Sequence, residues 1–360
     1  MIKNVILVLS VLLATTPPKA QNKLWQSRLA ATKEYMQHHM LNAATGNFVR
    51  RADQPNAPGS DAWGITIVLD AYAWMIEDRA MKPQELKQYF QSSSMLYEKT
   101  DGISGARILA RQGDQIYIGG DDDLQWCAAL VHCFNATKDT DYLNAAKSDF
   151  NALIAMGFWQ NGQSKGWSWN SGDKRPNGVS TAYGALAAAR LYAATHEEVY
   201  KQWANSSLEA LKTPQVGFFP RDMVVAANAA CTLYDVTKDH RYIAMATDWT
   251  KLAIKQAKEV IASKRKGECN PTDIADLAEG LDHLSRLSAK SYAAEATSFI
   301  NFFTAHRTPK DIAEKGFFSR YDSKGNPILD GSYLGVPCNV PFLPEVAEML
   351  KLFAIEANSE

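Results

Sequence analysis

The sequence predicts an all-α fold, an (α/α)6 barrel of six inner and six outer helices. From residue 24 onward, apolar residues recur three and four positions apart, and the alternation typical of strands is scarce. A short polar turn that runs from Thr to Tyr recurs at residues 137–142, 195–200 and 237–242, with a weaker copy at 287–292. Each turn joins a small-residue helix to a more amphipathic one, which predicts stacked helical hairpins around a shared core.

Twelve helices are expected, in the order 24–41, 61–79, 83–99, 121–136, 140–155, 177–195, 198–212, 221–236, 240–260, 271–286, 290–304 and 340–354. The six that begin near 61, 121, 177, 221, 271 and 340 are apolar on most faces, as helices buried on all sides are, and their partners carry charged outer stripes. An open solenoid is the alternative, but a first helix that needs a partner favours a closed ring. In a closed ring the inner helices run parallel, so their N-termini meet at one rim.

The chain of 360 residues has balanced charge, with 38 Lys and Arg against 39 Asp and Glu, and 46% hydrophobic content. No basic excess points to nucleic acid, and the apolar content supports a sizeable core. Residues 1–20 show a positive start, an apolar run and a small-residue end, which predicts a secretory signal peptide before a single (α/α)6 domain at 21–360. We therefore expect a secreted or periplasmic monomer with no membrane attachment after cleavage.

Five cysteines are few for an exported chain of this length, so disulfides are not its framework. Cys127 and Cys133 lie in an apolar helix and are expected in the core. Cys269 and Cys338 could form a bridge, which the sequence leaves undecided. No His or Cys spacing is typical of a metal site, and no cofactor is predicted.

Three consecutive carboxylates, Asp121 to Asp123, follow Gly119 and Gly120 at the start of an apolar helix and precede Trp126. Adjacent carboxylates repel, so one can stay protonated while its neighbour is ionised. Glycoside hydrolysis needs such an acid beside such a base. The alternative is a helix cap, because Asp122 with Gln125 three positions on fits a capping box, and acidic first turns complement the helix dipole.

The segments before the inner helices are rich in residue types that bind sugars. Aromatic rings match the C–H face of a pyranose, and Asn, Asp, Lys and Arg bond its hydroxyls in pairs. We therefore predict a carbohydrate cleft at the rim. Its candidate binding residues are Asp61, Trp63, Asp121, Trp126, Trp167, Trp169, Asn170, Lys174, Asn177, Arg221 and Asp222.

The motif Asp122 to Trp126, the turn at 137–142 and the segment Gly166 to Asn170 together resemble glycoside hydrolase family 76, the endo-α-1,6-mannanases, over residues 60–250. The resemblance implies an (α/α)6 barrel, a retaining mechanism, no obligatory metal and α-mannan as substrate. It also implies Asp122 as nucleophile and Asp123 as general acid/base.

Two departures from the family pattern stand out: Cys127 replaces a second tryptophan, and Arg221 to Met223 replace an Asn-Gln-Gly type of motif. Two rival functions remain open at this point. One is another (α/α)6 sugar enzyme, such as an unsaturated uronyl hydrolase with a basic cleft or an epimerase with paired rim histidines. The other is a glycan-binding barrel without catalysis.

Overall fold

The computed structural model describes residues 18–57, 62–94, 109–112, 115–162, 164–212, 219–263, 269–288 and 290–358. Most of the predicted signal peptide, up to residue 17, lies outside the described residues, and so does Asp61. Within these ranges no helix combines the length and the apolar character that crossing a bilayer requires.

The described chain is a closed ring of helices, which confirms the predicted (α/α)6 barrel. Each inner helix packs on the next, and the last, α13, packs on the first, α2. The inner helices are α2, α4, α6, α8, α10 and α13, and the outer ones are α1, α3, α5, α7, α9 and α11. The bounds in chain order are α1 Pro18–His39, α2 Ala62–Glu77, α3 Pro83–Ser94, α4 Gly120–Thr137, α5 Thr140–Ala155, α6 Gly178–Thr195, α7 Glu198–Ala210, α8 Pro220–Thr237, α9 His240–Ala262, α10 Leu277–Leu287, α11 Ala293–Thr304, α12 Pro309–Lys315 and α13 Leu343–Asn358.

The recurring turn has the same geometry at the connections that follow α4, α6 and α8. Lys138, His196 and Lys238 end α4, α6 and α8 in the left-handed region, with φ of 63°, 58° and 57°. Asp139 and Asp239 then cap the next helix by accepting a bond from the backbone N–H two residues on. Each turn closes on a buried tyrosine: Tyr142, Tyr200 and Tyr242.

Two helical features differ from the sequence prediction. The short helix α12 was not predicted, although Thr308 and Asp311 form a capping box around Pro309. The predicted helix 271–286 is divided: Pro271–Ala275 is a π-helical turn, in which the N–H of Asp276 bonds the carbonyl of Pro271, and α10 follows it.

In the parts of the chain that the structure describes, short antiparallel strands form four small sheets, although strand-like alternation is scarce in the sequence. Their bounds are β1 Leu41–Asn42, β2 Asn47–Phe48, β3 Leu109–Gln112, β4 Gln115–Ile118, β5 Trp159–Asn161, β6 Lys165–Asn170, β7 Asp173–Pro176, β8 Ser332–Tyr333 and β9 Val336–Pro337. The largest is the sheet β5–β6–β7, in which Trp159 lies opposite Trp167 and Asn161 opposite Lys165. The segment between α5 and α6 is therefore a rigid platform rather than an irregular loop.

All five cysteines are buried and none is in a disulfide, so the bridge considered for Cys269 and Cys338 is not formed. Cys127 and Cys133 have no exposed surface, as expected of small core residues.

Strand β6 passes directly over the start of α4. Gly119 and Asn170 form a β-bridge, and the backbone N–H of Ser171 bonds the carbonyl of Ile118 at 3.0 Å. A Cβ at Gly120 would lie 2.4 Å from the carbonyl oxygen of Ser168 and 2.8 Å from the Phe158 ring. Only glycine allows this approach, so the residue just before the three aspartates fixes where α4 begins.

We expect Gly120→Ala to lower the free energy of unfolding by about 1–3 kcal/mol, the usual cost of overpacking, and to reduce activity by displacing β6 from α4. Chemical denaturation monitored by circular dichroism measures the first effect. Gly162→Ala is the matched control, since the nearest atom to its new Cβ is 4.0 Å away. Equal stability of the two variants would contradict the close contact.

Candidate active site at the N-terminal rim

The rotation of α4 about its axis decides which of the three aspartates face the barrel axis. Gln125, Ala128 and Ala129 line the central cavity. At 3.6 residues per turn, Asp121 lies on the same face as Gln125, four residues earlier, and Asp122 lies beside it. Asp123 is two residues before Gln125, about 200° around the helix, and so faces away from the axis.

The burial of the three side chains follows this rotation. Asp121 and Asp122 are partly exposed, whereas Asp123 has 0% exposed surface. The sequence predicts Asp122 and Asp123 as the reactive pair, whereas in the structure the Asp123 carboxyl is enclosed by protein. The structure brings Asp121 and Asp122 together at the rim instead.

Asp121 is held by an indole and faces a guanidinium. The Nε1 of Trp169 donates to its Oδ2 at 3.1 Å. Burial raises the pKa of Asp121 to about 6, while the Arg221 guanidinium, the backbone N–H groups at the helix start and the Trp169 indole oppose that rise. A carboxyl that titrates near pH 6 can hold or release a proton under ordinary working conditions.

Arg221 lies at the start of α8 among several groups of the rim. Its Nη1 is 3.5 Å from Oδ1 of Asp273, and its guanidinium carbon is 5.8 Å from the centre of the Trp63 ring. Although burial alone would lower the pKa of Arg221, Asp273, Tyr183 and Asp222 raise it, so the residue stays charged. Arg221 and Trp63 thus lie near each other at the rim, and Asp273 is a further carboxylate beside them.

Asp222, a predicted sugar ligand, bonds the backbone at the start of α8. It is 1% exposed, and its Oδ2 accepts a bond from the backbone N–H of Phe219 at 3.3 Å. Burial raises its pKa to about 6, which Arg221 opposes. The structure thus shows this carboxyl engaged at the helix terminus and almost fully buried. The neighbouring Phe219 is instead 62% exposed and adds an aromatic face to the rim.

The three tryptophans of the acidic motif and of β6 differ sharply in exposure. Trp169 is 51% exposed beside Asp121, as a sugar platform requires. Trp126 is 2% exposed and packs on Phe90 at a centroid distance of 6.0 Å. Trp167 is 0% exposed, with its Nε1 donating to Ser207 Oγ at 2.9 Å. Trp126 and Trp167, both predicted as sugar ligands, thus lie in the core, and among these three tryptophans only Trp169 presents an open ring.

Three further predicted ligands support the platform around the rim. The Oδ1 of Asn170 accepts two backbone N–H bonds at 2.8 Å and closes the β6–β7 turn. Asn177 caps α6 by accepting from the backbone N–H of Ser180 at 3.2 Å. Lys174 is exposed, with its Nζ 5.3 Å from the centre of the Phe158 ring. The side-chain oxygens of both asparagines are thus engaged by the backbone, while the Lys174 ammonium is open to solvent.

Beneath the rim, buried charges cross the barrel. His132 Nδ1 is 2.7 Å from Oδ1 of Asp70, and Lys351 Nζ is 2.6 Å from Oδ1 of Asp276. Although burial alone would lower the pKa of His132, Asp70 and Glu77 raise it to about 9. The sequence analysis did not predict this network of buried charges. The feature that could have indicated it is the presence of charged residues on inner helices that are otherwise apolar.

A small cavity opens among these charges, below the aspartates. It has a volume of about 20 Å3, lined by Asp70, Gln125 and Arg190 among others, which is room for about one water molecule. Within the described residues, no group of three or more His, Cys, Asp or Glu side chains is arranged to hold a metal ion. The floor of the cleft is thus a set of fixed charges.

Comparisons with known proteins agree with this architecture. The family model for glycosyl hydrolase family 76 matches residues 27–216. A family 76 mannosidase from Bacteroides thetaiotaomicron superposes with a TM-score of 0.71 at 15% identity, covering 94% of this chain and 98% of its own. An α-1,6-mannanase from Salegentibacter sp. gives 0.66 at 15% identity, with 94% and 100% covered. No curated protein sequence is similar enough to count as a relative.

Two further solved structures bear on the choice between functions. A variant of the Salegentibacter mannanase with two consecutive aspartates changed to asparagine is described as inactive and holds α-1,6-mannotriose; it is 14% identical to this chain, with a TM-score of 0.66 and 94% and 100% of the two chains covered. A D-mannose isomerase matches at a TM-score of 0.64 and 11% identity, with 93% and 97% covered. The shared fold alone therefore does not select one chemistry.

The His132 network makes stability depend on pH. Its folded pKa of about 9 lies above the usual 6.5 of an unfolded histidine. The stabilisation is therefore fully present below about pH 6.5 and is lost as the pH rises through 9. We expect the difference in unfolding free energy between the wild type and His132→Gln to shrink over that window, as measured by urea titrations. Replacing the exposed His38 by Gln should leave the curve unchanged; a constant gap for His132→Gln would contradict the assignment.

Proposed function

The chain belongs to glycosyl hydrolase family 76, and on that premise we propose that it is an exported enzyme that cleaves the α-1,6-mannosidic bonds of α-mannan. The family makes it a mannanase-like glycoside hydrolase. The finer assignment of linkage is supported by two structural neighbours whose names specify α-1,6-mannanase or α-1,6-mannotriose. Export is supported by the signal-like sequence of residues 1–20.

The observation that carries the proposal is the pair Asp121 and Asp122 in the mouth of the barrel. Both side chains are partly exposed at the N-terminus of α4, with the exposed Trp169 ring beside them. The consecutive aspartates whose replacement accompanies inactivity in the Salegentibacter enzyme provide a parallel. We assign the acid and the nucleophile to this pair.

The proposed mechanism is retaining and proceeds in two steps. One carboxyl of the pair protonates the leaving oxygen while the other attacks the anomeric carbon, forming a glycosyl-enzyme ester and releasing the shortened mannan. The first group then takes a proton from water, which hydrolyses the ester and restores both carboxyls. Two such neighbours do not ionise independently. When the pair holds one proton, one carboxyl is the acid and the other is the ionised nucleophile, as the first step requires.

The groups around the pair have separate parts in the proposal. Trp169 presents a ring to the C–H face of a mannose unit and orients Asp121 through its Nε1. Arg221, held by Asp273, opposes the rise in the proton affinity of Asp121 that burial causes. Backbone N–H groups at the start of α4 favour the ionised form of a carboxylate there.

Sugar epimerisation, the chemistry suggested by the isomerase with this fold, finds less support. That reading required paired histidines at the rim. On the described inner helices, His132 lies about three turns into α4. His283 lies within α10, where its two ring nitrogens are bonded to Asn228 and Asp235. Neither is placed beside Trp169 and the aspartates.

We expect Asp121→Asn and Asp122→Asn each to lower the release of reducing ends from α-1,6-mannan by a factor of about 10² to 10⁴ or more, since each removes an acid–base or nucleophilic group. Asp123→Asn is the matched control and should retain most of the activity of the folded enzyme. Melting curves recorded by circular dichroism verify that the variants are folded. Full activity of either rim variant, or inactivity of a folded Asp123→Asn, would refute the assignment.

Activity should also change near pH 6, where Asp121 titrates. Removing the Arg221 charge takes away an influence that lowers this pKa, so the inflection in kcat/KM should move to higher pH in Arg221→Met. Arg221→Lys keeps the charge and should move it less. Profiles of kcat/KM against pH measure this shift. A kcat/KM that rises with pH through the inflection indicates that ionised Asp121 is the nucleophile. A kcat/KM that falls indicates that protonated Asp121 is the acid. An unmoved inflection would show that Arg221 does not act on the pair.

A further inference from the structure

A second groove lies on the outer surface, at the opposite end of β6 from the catalytic mouth. It has a volume of about 570 Å3 and is bounded by Trp159, Asn161 and Lys165 on the β5–β6 hairpin and by Asn205 and Glu209 on α7. Lys165 and Trp169 are four residues apart on β6, about 13 Å at the rise of an extended strand. The same strand therefore connects the groove to the mouth.

We propose that this groove is a second carbohydrate-binding site, which holds a stretch of the mannan chain outside the catalytic cleft. This inference rests on the proposed function for the identity of the glycan. A sugar site needs an aromatic face with hydrogen-bonding groups around it, and the groove presents both.

The aromatic face belongs to Trp159, whose position is fixed from three sides. Its ring centre lies 5.7 Å from that of Trp167 and 5.5 Å from that of Trp203, both edge to face. Its Nε1 donates to Asn161 Oδ1 at 2.7 Å. The Trp159 side chain is only half-buried, so a pre-oriented indole remains partly open to the groove. A rigid ring of this kind loses little conformational entropy on binding.

The polar groups around the ring are of the kinds that bind hydroxyls. Asn161, Lys165 and Glu209 are exposed. Asn205 accepts a bond from the Tyr242 hydroxyl at 2.8 Å through its Oδ1, so its amide nitrogen is the group that can serve a ligand. One cation, one anion and two amides provide both hydrogen-bond donors and acceptors, and their charges balance. Such a set suits a neutral polyol better than a charged polymer.

The buried Trp167 explains why this site was invisible in the sequence. Its ring supports Trp159 from below and is anchored by Ser207 on α7. The fully buried Trp167 thus supports the groove from behind its lining, and Trp159, its partner across the β5–β6 ladder, is the ring that lines the groove.

Binding is measured with the inactive double variant Asp121→Asn, Asp122→Asn, by electrophoresis through gels that contain α-1,6-mannan. We expect retardation by the polymer, with an apparent Kd raised roughly tenfold by an added Trp159→Ala, a free-energy change of about 1.4 kcal/mol. Asn161→Ala with Lys165→Ala should also weaken retention, and this variant removes only exposed groups. Trp159→Phe should retain part of the affinity. Gels that contain a β-linked glucan are the control for non-specific retardation.

Kinetics separate this groove from the cleft. In the otherwise wild-type enzyme, Trp159→Ala should raise KM for the polymer while leaving kcat/KM unchanged for the shortest α-1,6-mannooligosaccharide that the enzyme cleaves. Trp169→Ala should impair both substrates. The second site would be overturned if the Trp159→Ala variant and the Asn161→Ala, Lys165→Ala variant both kept the polymer retention of the parent. It would also be overturned if a folded Trp159→Ala enzyme lost as much kcat/KM on the short substrate as on the polymer.

Failure of the proposed function would look different. If the wild-type enzyme cleaves no α-mannan, the linkage assignment falls, and gels containing other α- and β-linked glycans then test the groove by itself. Retention of any of these by the wild type that Trp159→Ala weakens would support a carbohydrate site. Absence of retention by every glycan would reject it.

Discussion

The chemistry at the mouth of the barrel depends on the rotation of α4 about its own axis. That rotation is set by packing: Trp126 and Cys127 are buried, while Gln125 lines the central cavity. Since each residue advances about 100° around an α-helix, the position of Gln125 fixes which carboxylates point inward. Asp121 and Asp122 reach the cleft, and Asp123 is closed off behind them. The contact between Gly120 and the Ser168 carbonyl then sets how far the helix extends toward the rim.

Charge is distributed in two layers along the barrel axis. In the upper layer, the Arg221 charge opposes the rise in the pKa of Asp121, and Arg221 in turn lies 3.5 Å from Asp273. The lower layer contains buried pairs such as His132 with Asp70. Breaking a buried pair leaves a desolvated charge, so these pairs resist displacement of one inner helix relative to the next. A stable floor of this kind keeps the rim groups at fixed distances, which catalysis by positioned carboxylates requires.

The three tryptophans of the sheet between α5 and α6 have different surroundings. Trp167 is a core residue that joins the sheet to α7, and the Trp169 indole donates to Asp121 at the rim. Trp159 lines the outer groove. Because one strand, β6, runs from the rim to the groove, a polysaccharide bound at both places, as we propose, would have a defined direction along the sheet.

The sequence by itself determined the ring. Helix period, the repeated Thr-to-Tyr turn and the difference between small-residue and amphipathic helices are local signals, and a chain with six of each has few ways to bury its apolar faces. It also located the acidic motif, Trp63, Trp169 and Arg221 at the rim. Only the tertiary structure decided which of the three aspartates is enclosed, that Trp167 is buried and that Asp222 bonds the backbone at the start of a helix. The physical reason is that the exposure of a residue depends on what packs against it. Neighbouring side chains on a helix point about 100° apart, and the amino-acid composition of a motif does not determine which of them faces the core.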